Sequence, residues 1–243
     1  MNQKELEAKG IILNAAPQGE YGRRLTILTD RLGKITVFAS GAAKPGSRMI
    51  GLVRPMTCGT FRLMRGRQAW NLHGVELMNT FEAVQQSYDA MLFGMYVLEV
   101  VSYAAQEGMA EEDAKQLLNL VYLTLAAVSD NAYDLLLAKH VFELRLLKWF
   151  GEYTTAPPHE TDEAVAALWQ LALSAPLSRL YSKVQTFSSG QQSDVTDILK
   201  RFYRAADFLW KQQIPHTFRT EAMLLDSLSC TEGCLNSNLS ADG

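Results

Sequence analysis

The chain has 243 residues, of which 48% are hydrophobic and 20% charged, a composition typical of a globular protein that buries a core. This excludes a disordered or collagen-like chain, and three cysteines in this length are too few for a disulfide scaffold. We therefore expect a cytoplasmic protein. We expect no signal peptide, because the first residues are polar. The apolar run at residues 90–105 is too short to span a membrane and contains Glu99, which predicts a buried helix.

The formal net charge of −3 is unevenly divided along the chain. Residues 1–80 contain 12 Lys and Arg against 5 Asp and Glu, whereas residues 81–243 contain 11 against 21. Such an asymmetry indicates a module that binds a polyanion, joined to one with a different role. A solvated basic face without a partner would explain the charge equally well.

Short runs rich in β-branched and aromatic residues predict strands at residues 9–14, 25–29, 34–39, 60–65 and 69–78. The linker between the second and third strands predicts a hairpin in which Gly33 adopts a positive φ. Residues 40–51 form a longer, Gly-rich loop that contains Lys44 and Arg48. This length favours a binding loop.

After residue 80 the pattern becomes helical. It predicts helices at residues 89–106, 111–128, 132–150, 162–174, a short piece near 176, 193–213, and 218 to about 228. Residues 129–131 are candidates for the cap of the third helix, and Gly151 is expected to end it. The small, polar residues 229–243 predict a frayed or disordered tail.

Strands followed by helices predict an α+β protein with two domains. The first, residues 1–80, is expected to be a five-stranded OB-fold barrel, a common nucleic-acid-binding fold. The second, residues 81–243, is expected to be an all-α domain that binds partners.

Binding to DNA requires cations for phosphates and flat side chains for unpaired bases. Alternation places Phe38 on the same strand face as Lys34 and opposite Ile35, so Phe38 is a candidate stacking platform. Burial of Phe38 and of Trp70 in the barrel core is the alternative. The candidate DNA-binding residues are Arg23, Arg24, Arg31, Lys34, Phe38, Lys44, Arg48, Arg54, Arg65 and Arg67.

Other chemistry has little support in the sequence. Residues 41–47 have the spacing of a phosphate-binding P-loop but lack the lysine that must precede Ser47. Cys230 and Cys234 are four residues apart, yet a zinc site needs four ligands. No His lies near a nucleophile that would suggest a catalytic triad. We therefore predict no catalytic residue, no metal and no cofactor.

The acidic half carries two local basic stripes, each on a predicted helix. A solvated surface is one explanation, and a docking site for an acidic peptide is the other. The candidate partner-binding residues are Lys139, Arg145, Lys148, Lys200 and Arg204.

Several segments, in order and spacing, resemble the RecO family of bacterial recombinational repair proteins. They are KGIIL at residues 9–13, GEYG at 19–22, the run from 25 to 34, GAAKPGSR at 41–48, LVRP at 52–55 and HVFELRLL at 140–147. The resemblance implies an OB-fold followed by a helical domain. It also implies a protein that binds single- and double-stranded DNA and anneals complementary strands. Its implied partners are RecR and the tail of the single-stranded DNA-binding protein, with which it loads the RecA recombinase.

Two positions depart from this family. Ala43 stands where members often carry another basic residue, so the loop is expected to hold phosphate less firmly. Residues 150–163 lack the zinc-binding cysteines that some members have. A scaffold whose barrel binds an acidic protein tail, without touching nucleic acid, is the alternative function.

Overall fold

The computed structural model describes residues 5–67, 69–130, 134–188 and 192–239. The described chain forms five strands followed by helices, so the predicted α+β order is confirmed. The strands are β1 (Glu5–Gln18), β2 (Gly22–Thr29), β3 (Gly33–Ala39), β4 (Cys58–Arg65) and β5 (Trp70–Asn79). Every predicted strand lies within or overlaps one of these.

The strands close into a barrel in the order β1-β2-β3-β5-β4. Neighbouring strands are antiparallel except β3 and β5, which pair in parallel. β1 can pair on both sides because its first half lies against β4 and its second half against β2. This five-stranded barrel is the predicted OB-fold.

The interior of the barrel follows from the alternation of side chains along each strand. Leu25 and Ile27 of β2 and Ile35 and Val37 of β3 are at most 2% exposed, while Thr36 between them is exposed. Burial of each such side chain contributes about 1.5–3 kcal/mol, and together they form the barrel core.

Gly33 lies in the turn between β2 and β3 and has a φ of 67°, as predicted. A Cβ at this position would also lie 2.3 Å from the carbonyl oxygen of Gln106. The position therefore requires glycine for its conformation and for this close approach.

Between β3 and β4, residues 40–57 form successive turns instead of a helix. Backbone hydrogen bonds span three residues at several points, for example from Lys44 N to the Gly41 oxygen. Ala42, Val53 and Met56 are nearly fully buried and anchor the segment on the barrel.

The helices are α1 (Glu82–Gln86), α2 (Tyr88–Ala104), α3 (Glu111–Asp130), α4 (Leu135–Phe150), α5 (Glu163–Ser174), α6 (Leu177–Ser188), α7 (Gln192–Gln213) and α8 (Arg219–Leu239). Gly151 ends α4 with a φ of 81°, as predicted. No described helix has the length and apolarity that crossing a membrane requires.

Four details of the helical predictions were wrong or incomplete. The cap of α4 is Asp134, whose side chain accepts from Leu136 N and Leu137 N, so residues 129–131 do not provide it. The short α1 was missed, and α6 is a helix of 12 residues. The last helix, predicted to end at about residue 228, extends to Leu239 in α8, and a frayed tail stays a prediction. Residues 240–243 lie outside the described chain.

The chain divides into two compact units. The first combines residues 1–86 with 94–122, and the second combines residues 87–93 with 123–243. In the second unit α4 packs against α5 and α7, with Trp169 and Phe202 fully buried among them. A separate role for residues 81–243 stays a prediction.

Candidate nucleic-acid interface

The outer surface of β2 and β3 presents a row of cross-strand pairs. Arg24 lies opposite Phe38, and Thr26 lies opposite Thr36. Arg24 and Thr36 are exposed and Phe38 is partly exposed, whereas the alternate side chains enter the core. Directly paired side chains on one face of a sheet lie within contact distance. This outer row therefore places a cation beside an aromatic ring.

Phe38 also has a polar neighbour on its other side, because the parallel pairing of β3 with β5 brings Asn71 level with it. Arg24 and Asn71 therefore flank Phe38 on the two neighbouring strands, and the ring keeps part of its surface in solvent. An aromatic ring with these neighbours can stack on a base while its neighbours reach the sugar-phosphate chain. Phe38 lies on the strand face that the alternation predicted and is not part of the barrel core; its binding role stays a prediction.

Trp70 is placed differently from Phe38. It pairs with Val37, whose side chain enters the barrel, and it packs against the barrel core. The guanidinium of Arg65 lies over the indole ring, 5.0 Å from its centroid. Such a cation–π contact at a partly exposed site contributes about 0.5–1 kcal/mol. Trp70 thus supports the barrel and positions Arg65.

Several predicted cations meet at one end of the barrel, which we call the basic rim: Arg23, Arg24, Lys44, Arg65 and Arg67. The pairing of Arg23 with Ala39 and of Arg65 with Trp70 brings the strand ends together. Lys44 joins them because Ala43 N donates to the Tyr21 oxygen at 2.9 Å. Tyr21 itself is 41% exposed beside this rim.

The other predicted cations do not all belong to the basic rim. Arg31 is exposed in the turn at the opposite end of β2 and β3. Arg48 and Arg54 are exposed along the segment of residues 40–57. Lys34 is partly buried, and its ammonium donates to the backbone oxygen of Ser102 near the end of α2. This contact satisfies a carbonyl at a helix C-terminus and occupies the Lys34 side chain.

The charge of these cations is not neutralised by neighbouring acids. Among the described residues, none of the nine predicted DNA-binding cations forms an ion pair with a carboxylate. The basic rim and the segment of residues 40–57 therefore retain a net positive charge, as electrostatic attraction of a polyanion requires.

The opposite side of the barrel has a different character, which sequence reasoning did not anticipate. On this β1–β4–β5 surface Arg62 pairs with Glu7, and Thr60 pairs with Glu76. Arg62, Glu7 and Glu76 border the same shallow depression. Positive charge is thus confined to part of the barrel.

Residues 1–81 match the family model described as "Recombination protein O N terminal". The resemblance to the RecO family is confirmed. The DNA repair protein RecO of Desulforudis audaxviator is 34% identical over 148 residues, which are 61% of this chain and 57% of that protein.

Two further RecO proteins are similar over the same extent. Those of Alkaliphilus metalliredigens and Clostridium perfringens are 28% and 27% identical over 157 and 146 residues. The matches cover 65% and 60% of this chain, and 61% and 58% of the two relatives. The matched stretch thus spans about three-fifths of the length of these RecO relatives.

The charge pattern of the sequence also pointed to basic stripes in the helical half, and the structure changes that picture. Lys139 is only 1% exposed. Its ammonium lies 2.8 Å from Glu143 Oε1 and 3.0 Å from Glu221 Oε1. Burial alone would lower the pKa of Lys139, but the surrounding carboxylates raise it above its ordinary value. Lys139 is therefore part of the interior and not of an exposed stripe.

Arg145 and Lys148 hold the end of α5. Arg145 donates to the backbone oxygens of Ala172 and Ala175, and Lys148 Nζ donates to the Leu173 oxygen at 3.1 Å. Cations favour the last carbonyls of a helix, so both side chains have a structural contact. Lys200 and Arg204 of α7 are exposed, and their binding of an acidic partner stays a prediction.

His140, Glu143 and Asp207 place one ligand atom each within 4.8 Å of one another, a spacing that could hold a metal ion. Lys139 Nζ lies among them, 3.8 Å from Asp207 Oδ1, and already supplies positive charge. His140 Nε2 contacts the same oxygen of Asp207 at 3.2 Å. This arrangement is better described as a buried ion-pair network, because a metal would have to compete with the ammonium.

Proposed function

We propose that this protein is a DNA repair and recombination mediator that binds single- and double-stranded DNA through the outer surface of β2 and β3 and the basic rim. The observation that carries the proposal is the pairing of Arg24 with the partly exposed Phe38. The match of residues 1–81 to the RecO N-terminal family supports it.

In this proposal a single strand lies across β2 and β3. A base stacks on Phe38, while Arg24 and the basic rim contact phosphates on either side. Stacking contributes about 1–3 kcal/mol per base and tolerates any sequence. Each phosphate contact displaces counterions, so affinity falls as salt increases. Sequence information would come from base pairing and not from the protein.

Annealing follows from the same charges. Arg48 and Arg54 extend the exposed positive charge along the segment of residues 40–57. Two strands near this surface would repel each other less, so complementary bases could meet. The function we propose needs no catalytic residue. Its partners would be RecR, the tail of the single-stranded DNA-binding protein, and RecA.

The test measures binding of a fluorescent oligo-dT strand by anisotropy over a range of salt concentrations. The double variant R24A/F38A should lose most of the affinity, since it removes a stacking ring and a phosphate contact. The matched control R62A removes the same charge from the β1–β4–β5 surface and should bind like the wild type.

Equal losses in both variants would contradict the proposed surface. Failure of the wild-type chain to bind DNA at low salt would contradict DNA binding itself and favour the scaffold that binds an acidic protein tail. A strand-annealing assay on the same variants, with and without the single-stranded DNA-binding protein, extends the test to the mediator role.

A further inference from the structure

The first compact unit contains a cavity of about 350 Å³ that the proposed DNA surface does not use. β1, the turn after β2, the ends of β4 and β5, and α3 border it. Its apolar walls come from Cys58, Met78, Leu118 and Tyr122. A cavity of this size, largely apolar with a few polar groups, is typical of a small-molecule site.

Asp30 supplies a buried acceptor in this cavity. Its backbone N–H donates to the Lys9 oxygen at 2.9 Å, which holds the residue in place. Its side-chain Oδ1 is buried and, among the described residues, accepts no hydrogen bond. Burial raises the pKa of the carboxyl, an effect partly offset by the backbone N–H groups of Lys9 and Asp30. A buried acceptor without a partner is costly, so a ligand that donates a hydrogen bond here would be favoured.

Two lysines border the same cavity from the solvent side. Lys9 is exposed on β1 and Lys115 is exposed on α3. Lys115 Nζ lies 2.8 Å from Glu111 Oε1, but both side chains are about half exposed, and such surface pairs are weak. At this opening the two ammonium groups can contact an anionic group of a ligand, while Asp30 accepts from its donors.

The cavity therefore combines apolar walls, the buried carboxylate oxygen of Asp30, the amide of Asn119 and two cations. A nucleotide has the matching parts: a flat base, N–H donors on the base edge, and a phosphate. Guanine fits best, because its N1–H and N2–H₂ donors are adjacent. Thymine fits worst, because carbonyl oxygens on both sides of its N3–H would face the carboxylate. Carboxylates are used in this way to accept from base amino groups.

We propose that this cavity binds one unstacked guanine nucleotide, with the base on Asp30 Oδ1 and the phosphate near Lys9 and Lys115. The nucleotide could be free or could belong to a DNA strand. In the second case the inference rests on the proposed DNA-binding function and adds a site distinct from the outer surface of β2 and β3.

The first experiment is calorimetric titration of the full chain with dGMP and with dTMP at equal ionic strength. Wild type should bind dGMP more tightly than dTMP. The variant Asp30→Asn keeps the shape but loses the carboxylate, and should lose roughly tenfold or more in dGMP affinity. The matched control Glu76→Gln changes an exposed carboxylate outside the cavity and should leave dGMP binding unchanged.

The second experiment identifies the source of the nucleotide. A single guanine placed in oligo-dT should tighten binding by the wild type but not by Asp30→Asn if the site takes a base from a strand. If Asp30→Asn lowers the affinity for free dGMP but not the affinity for the guanine-containing strand, the cavity binds free nucleotide. A far-UV circular dichroism spectrum of each variant shows that it is folded.

No dGMP binding, or equal dGMP affinity in wild type and Asp30→Asn, would overturn the cavity proposal. That failure is separate from failure of the DNA surface, because plain oligo-dT offers no guanine. Binding of oligo-dT by wild type and its loss in R24A/F38A would remain intact in that case.

Discussion

The cations of the barrel and those of the helical unit have different surroundings. Arg24 and Lys44 are exposed, and no carboxylate among the described residues forms an ion pair with them. Lys139 is buried between carboxylates, and Arg201 contacts Glu160, Asp162 and Asp197. A cation that already has acidic partners stabilises the fold, whereas an unpartnered, exposed one remains available to a phosphate. The same residue type therefore predicts function only when its partners are known.

The largest expected effect is in the helical unit. Lys139→Met would leave the buried Glu143 and the partly buried Glu221 without their counterion, and breaking such a buried pair costs about 3–5 kcal/mol. Urea unfolding followed by circular dichroism should show this loss, while Lys200→Met on the exposed side of α7 should change stability little. Substituting Glu143 by Met as well should recover part of the loss. A Lys139→Met protein as stable as the wild type would show that the network does not stabilise the fold.

The second-largest expected effect is on DNA binding by the barrel. Phe38→Ala should weaken binding of oligo-dT by about 1–3 kcal/mol, roughly 5- to 150-fold, because one stacking contact is lost. Phe38→Trp should restore most of the affinity, since it offers another aromatic face. Anisotropy titrations measure both. Weak binding by Phe38→Trp, with an unchanged fold, would argue that the ring does not stack on bases.

The contacts of Lys44 and Lys34 predict how much each contributes to the salt dependence of DNA binding. Lys44→Gln should reduce the slope of log K against log salt by about 0.7 for single-stranded DNA, as one phosphate contact is lost. Lys34→Gln should leave the slope nearly unchanged, because the Lys34 ammonium donates to the Ser102 oxygen. Equal reductions would mean that Lys34 leaves this contact to bind DNA.

These differences show what could be predicted from the sequence. Local alternation was sufficient to predict the five strands and the strand face on which Phe38 lies, but not whether that face is buried. The turn residues were sufficient to predict the positive φ of Gly33. The surroundings of Lys139 were not predictable in this way, since Glu221 is distant in sequence and approaches only through packing. Spacing within α4 offered one hint, because Lys139 and Glu143 are four residues apart on one helix face.

The candidate cavity was missed for a similar reason. Asp30 stands in a short turn of a basic region, where no local pattern marks it as a ligand contact, and Lys115 lies on a helix far along the chain. No local pattern links a turn after β2 with the exposed side of α3. Cavities assembled from distant elements become visible only when the fold is known.

The smallest expected effect concerns a partnered cation near the surface. Contact with Arg201 and backbone N–H groups lowers the pKa of Glu160 from its ordinary 4.5 to about 2. A carboxyl whose pKa is lower in the folded state stabilises the fold above its unfolded pKa. This contribution is present above about pH 4.5 and is lost as the pH falls towards 2.

Arg201→Gln should therefore lower the Tm at pH 7, with a smaller difference from the wild type at each step below pH 4.5. Lys200→Gln on the same helix serves as the control, because no ion pair among the described residues involves Lys200. Oligo-dT binding should be the same in both variants at pH 7. A Tm difference for Arg201→Gln that stays constant from pH 7 to the acid limit would mean that Arg201 stabilises α7 by packing and not through the ionised Glu160.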